Sequence, residues 1–158
     1  MTLTHHTKGA TGANAMRRLV LAAGMSLLVR PASATPQTLD AAIRAFTGGA
    51  QLGAGKVVLD VAPLVDNGNV VPLSVRVDSP MSADNHVTDI AVFNERNPQS
   101  DVARFRLGPR AGKAEVSTRI RLATSQKLTA IARFSDGSFQ AQTVDVIVTL
   151  AACIEGEA

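Results

Sequence analysis

Between Leu73 and Asp78 the chain alternates strictly, with Leu73, Val75 and Val77 set against Ser74, Arg76 and Asp78. A period of two places one set on each face of a half-buried β-strand. The same alternation returns at Val116, Thr118, Ile120 and Leu122 against Glu115, Ser117, Arg119 and Arg121. It returns again at Val144, Val146, Val148 and Leu150 against Thr143, Asp145 and Thr149, so the last strand is expected to run to Leu150. Residues 56–61, 87–93, 105–107 and 128–134 read as shorter or less regular strands bounded by turn residues. Asn67-Gly68 and Asp136-Gly137 are the strongest hairpin signals, since both dipeptides accept positive φ at little cost. Ahead of the strands, Leu39, Ala42, Ile43 and Phe46 recur at helical spacing between a capping Thr38 and the stop Gly48-Gly49. About seven strands at this spacing predict an all-β fold, a two-sheet antiparallel sandwich with one short N-terminal helix.

The first segment does not share this pattern. Met16-Arg17-Arg18 leads into an apolar run from Leu19 to Val29 and then into Ala32-Ser33-Ala34. That order of basic, apolar and small residues is the order of a signal peptide, cut to leave Thr35 as the mature N-terminus. The apolar run is 11 residues long, against about 20 for a membrane-spanning helix, so no membrane anchor is expected. Arg17-Arg18 fits a twin-arginine export signal and also an ordinary Sec signal. Residues 1–15 carry no apolar periodicity and read either as a long basic leader or as sequence upstream of a start at Met16. The expected organisation is a signal peptide over 1–34, one domain over 35–150 and a terminal arm over 151–158, with a periplasmic location.

Charge changes meaning once the signal is set aside. The whole chain has a net charge of +3 and a pI near 9.6, but Lys8, Arg17, Arg18 and Arg30 all lie in the signal, which holds no acid. Without those four, 12 of the 16 basic residues remain against 13 acids. The basic balance therefore belongs to export and not to a nucleic acid partner. The absence of Trp and Tyr removes the usual stacking platforms as well.

Cys153 is the single cysteine. In an exported protein it is buried and inert, paired with another chain, or a reactive thiol. A final strand ending at Leu150 leaves it beyond the sheet on a short arm of small residues, where a terminal thiol can be delivered into another protein's active site. His86 is the only histidine after the signal, so neither a histidine metal site nor a Cys–His pair has support, and no metal or cofactor is expected. The run Asn94-Glu95-Arg96-Asn97-Pro98 reads equally as a partner contact or a solvated turn, and Arg119 and Arg121 as a solvated sheet face.

Several segments together resemble the SoxY family of thiosulfate-oxidation carriers. They are Asp78-Ser79-Pro80-Met81, Phe93, Asn97-Pro98, the run from Gly112 and Lys113 to Leu122, and Ser135-Asp136-Gly137-Ser138-Phe139. The resemblance extends roughly from Leu39 to Cys153, and its most specific part is the Lys113 to Leu122 run. It implies an immunoglobulin-like sandwich that pairs with a SoxZ-like subunit. It also implies that Cys153 on a C-terminal carrier arm holds sulfur intermediates covalently while separate Sox pathway enzymes load, hydrolyse and oxidise them. The carrier itself would catalyse nothing. The family cysteine normally stands within Gly-Gly-Cys-Gly-Gly, whereas Ala151, Ala152, Ile154 and Glu155 surround it here. Two other readings stay open: a SoxZ-binding interaction subunit with altered or lost carriage, and a thiol enzyme, for which nothing near Cys153 in sequence supplies a base.

Overall fold

The computed structural model describes residues 38–150, so the expected signal peptide and the arm with Cys153 lie outside the described residues. Helix α1 (Leu39–Thr47) starts where the Thr38 hydroxyl accepts a hydrogen bond from the Ala41 N–H. It ends at Gly48, which adopts φ 65° and donates its N–H to the Arg44 carbonyl. Both ends are those read from sequence.

The strands are β1 (Leu52–Gly53), β2 (Val57–Val61), β3 (Leu64–Val65), β4 (Val71–Val77), β5 (Val87–Asn94), β6 (Asp101–Arg106), β7 (Ala114–Ile120), β8 (Gln126–Phe134) and β9 (Phe139–Val148). The seven longer ones form an immunoglobulin-like sandwich. One antiparallel sheet has the order β2-β4-β7 and the other β9-β8-β5-β6. β1 and β3 add two-residue parallel pairs to β9. Segments that short display no period, so the sequence pattern does not announce them.

Alternation fills the space between the sheets. Val71, Leu73, Val75 and Val77 of β4 face Val87, Ile90 and Val92 of β5 and Leu128, Ala130, Ala132 and Phe134 of β8 within one buried cluster. The opposite face of β5 and β8 is buried too, because α1 lies on it: Ala91, Phe93, Ile131 and Phe139 pack with Leu39, Ala42, Ile43 and Phe46. The Phe46 ring centroid stands 5.8 Å from those of Phe93 and Phe139. Burial on both faces explains why residues 90–93 read as an unbroken apolar run without a clean period.

Two expectations fail. Leu150 does not point into the core but is 62% exposed, since β9 ends at Val148 and the next two residues leave the ladder to bond a neighbouring loop. Asn67-Gly68 is not a hairpin, because β3 and β4 belong to different sheets. Asn67 instead accepts the Asn69 N–H on its own Oδ1 at 2.9 Å, and Gly68 bridges two other segments. Asp136-Gly137 does close the β8–β9 hairpin, with Gly137 at φ 85°. Among the described residues no helix is long and apolar enough to cross a membrane.

Candidate functional site

The functional expectation rests on the chain beyond β9, so the site begins with what holds the end of that strand. Val148 donates its N–H to Ser125 Oγ at 2.9 Å. Thr149 donates its N–H to the Val65 carbonyl at 3.0 Å and its hydroxyl to the Asp66 carbonyl at 3.1 Å. The Leu150 carbonyl accepts the Gly68 N–H at 2.8 Å, and the Gly68 carbonyl accepts the Leu122 N–H at 2.8 Å. The chain is thus held residue by residue up to Leu150. Cys153, outside the described residues, follows three positions later. Extended chain spans at most ~3.6 Å per residue, so the Cys153 Cα comes no farther than about 11 Å from that of Leu150.

Side-chain amides brace the same end of the sandwich. Gln126, 5% exposed, donates from Nε2 to Asn97 Oδ1 at 2.8 Å and to the Thr124 carbonyl at 3.1 Å. Its Oε1 accepts the Arg96 N–H at 2.8 Å. Asn97 donates from Nδ2 to the Arg121 carbonyl at 2.8 Å and accepts the Ala123 N–H at 3.0 Å. Asn94 Oδ1 accepts the Asn97 N–H at 3.2 Å, while Asn94 Nδ2 is buried without a hydrogen-bond partner. The Asn94 to Pro98 segment, open in sequence between partner contact and solvated turn, therefore joins the β5–β6 connection to the β7–β8 connection. Sequence reasoning missed this joint because its partners stand 24 to 30 residues apart. The only signal was three amide residues at predicted strand ends. Amides ionise at no physiological pH, so the joint stiffens the platform and supplies neither acid nor base.

The other candidates fall elsewhere. His86 sits at the opposite end of the sandwich, with its N–H on Ser135 Oγ at 3.2 Å and its Nδ1 3.1 Å from the Ser82 carbonyl. β9 has 10 residues and so separates the two ends by roughly 30 Å, which the arm's reach does not cover. Cys153 and His86 of one chain cannot form a nucleophile–base pair. Arg119 lies beside Asp60, Ser74 and Ser117 in an open groove of about 860 Å³ on the outer face of β2-β4-β7. Arg121 is exposed, as expected of a solvated face. Among the described residues no three His, Cys, Asp or Glu side chains gather as a metal site.

The sequence profile described as "Sulfur oxidation protein SoxY" matches residues 43–153. Among solved structures, the sulfur carrier protein SoxY from Chlorobium limicola f thiosulfatophilum is 28% identical over 70% of this chain and 91% of its own, with a TM-score of 0.60. A superoxide reductase (neelaredoxin) from Ignicoccus hospitalis is 15% identical over 60% of this chain and 80% of its own, with a TM-score of 0.54. At that identity the likeness is one of fold. No curated protein sequence matches the chain.

Proposed function

This chain belongs to the SoxY family of sulfur oxidation proteins, and we propose that it is a periplasmic sulfur carrier whose Cys153 holds thiosulfate-oxidation intermediates as covalent adducts. The observation that carries the reading is that the family match runs through to Cys153, three residues past Leu150, which is bonded to the body of the sandwich. A sandwich bonded up to Leu150 with a thiol three residues on in sequence suits a carrier, because the domain brings the sulfur to a separate enzyme that provides the chemistry. Residues 1–34 serve export, by the twin-arginine or the Sec route, and N-terminal sequencing of periplasmic protein is expected to start at Thr35. A SoxZ-like subunit completes the carrier, and Sox enzymes load, hydrolyse and oxidise what Cys153 holds.

Cys153→Ser tests this reading in a reconstituted system. Thiosulfate-dependent turnover is expected to vanish while the unfolding midpoint and SoxZ binding stay unchanged; turnover at the parent rate would refute carriage. Ala151, Ala152, Ile154 and Glu155 in place of the family's glycines favour one second reading, an interaction subunit that binds SoxZ without carrying sulfur. A SoxZ pull-down in which the thiol is always unmodified would select it.

A further inference from the structure

We infer that the apolar rim at the root of the arm, formed by Leu64, Ile147 and Leu150, is the surface on which the enzymes that act on Cys153 dock. The inference rests on the carrier reading. Leu64 and Ile147 are registered partners in the β3–β9 pair, and each is 57% exposed, with Leu150 at 62%. Val70, 59% exposed, follows the same loop whose Gly68 holds the Leu150 carbonyl. Isolated apolar side chains are ordinary on a protein surface. A group of them at one rim, beside the departure point of a tether, has the character of a contact surface.

The length of the tether identifies the occupant. Leu150 is bonded in place and Cys153 stands three residues on, so a reacting centre must come within about 11 Å of this rim, plus the length of the side chain. An enzyme whose centre lies recessed in a cleft then brings the walls of that cleft onto the arm's root. Burying Leu64, Ile147 and Leu150 against apolar walls contributes affinity at the place where the thiol enters. Val58 is also exposed, at 48%, but it lies toward the far end of β2, where Val57 pairs with Val77. It therefore serves as an internal control.

The test uses the mature protein with its SoxZ-like subunit and the purified thiosulfate-oxidising enzymes of its own source, with turnover followed as carrier concentration is varied. Leu64→Glu and Ile147→Glu are each expected to raise the apparent KM for carrier about tenfold, the loss of one well-buried apolar contact. The kcat and the unfolding midpoint should stay constant, and Val58→Glu should change nothing. Unchanged KM in both rim variants would overturn the inference. Loss of SoxZ binding by the same variants would also overturn it and assign the rim to the permanent interface. The mass of Cys153 in the parent protein separates the two levels: absence of any adduct would fail the carrier reading itself, and the docking surface with it.

Discussion

The two ends of the sandwich solve the same problem, joining strands across a turn, in different ways. At the hairpin end the backbone does the work. Phe134 donates its N–H to the Ser138 carbonyl at 2.9 Å, Gly137 donates its N–H to the Phe134 carbonyl at 3.0 Å, and Asp136 Oδ1 accepts the Ser138 N–H at 2.8 Å. These partners lie within a few residues, and one long-range tie is added at the start of the turn, where Ser135 donates its N–H to the His86 carbonyl at 2.9 Å and accepts the His86 N–H on Oγ at 3.2 Å. At the arm end, the loops after β3, β5 and β7 are tied by Gly68, Asn97 and Gln126 to residues far away in sequence, and the last strand is fixed to its final residue before the chain departs. The tip of the hairpin turn, Asp136 and Gly137, bonds to residues of the turn itself and can be altered without touching the other loops. A joint shared among three loops holds Leu150, the residue from which the arm continues in sequence.

The largest effect expected within the domain comes from breaking that joint. Gln126→Leu keeps the side-chain bulk but removes the donor to Asn97 and the acceptor for the Arg96 N–H. Buried polar partners left unpaired cost about 1–3 kcal/mol each, so a loss of about 2 kcal/mol is expected in denaturant unfolding. Carrier turnover should fall with it, because the arm's root loses its brace. If turnover is kept at full rate when stability is lost, the arm end is only scaffolding.

A smaller and purely structural effect is expected at the other end. Gly137→Ala places a Cβ on a residue at φ 85°, in open space, so only backbone strain opposes it. That strain is worth roughly 1–2 kcal/mol, and turnover should be unaffected once the protein is folded. A fall in turnover equal to that of the Gln126 variant would erase the distinction between the ends.

Sequence reasoning succeeded where the structure is local. Thr38 and Gly48 bound α1 through bonds to residues three and four positions away, and Asp136-Gly137 turns on itself, so composition sufficed for both. It failed at Asn67-Gly68, where the same dipeptide chemistry serves a loop bonded to Leu122 and Leu150. It failed likewise at Leu150, whose apolar character continued the β9 alternation after the backbone had left the ladder. The amide joint was hidden because Asn97 and Gln126 acquire their roles only when two loops meet. Cys153 was singled out by its position past the last strand and by family resemblance, neither of which depends on tertiary contacts.

The smallest expected effect depends on pH. Hydrogen bonds from the Ser138 side chain and backbone hold the Asp136 carboxyl below its ordinary value of 3.8. A folded-state value below the unfolded one adds stability that is fully present above the unfolded pKa and is lost as pH falls through the folded pKa. Asp136→Asn should therefore lower stability slightly near neutrality and make the acid-unfolding curve slightly shallower at the bottom of the carboxylate range, where the parent loses that contribution. An altered neutral-pH turnover in this variant would mean that the hairpin end takes part in carriage.

The central claim is that the sandwich is a fixed mount and that the function resides on Cys153. Its most direct test is the intact mass of the protein purified from the periplasm of thiosulfate-grown cells under non-reducing conditions, followed by mapping of the C-terminal peptide. The account predicts a mixture of masses above the cleaved chain, spaced by sulfur and sulfonate increments, all confined to the peptide containing Cys153 and discharged by a thiol reductant. A single unmodified mass in cells actively oxidising thiosulfate would contradict it.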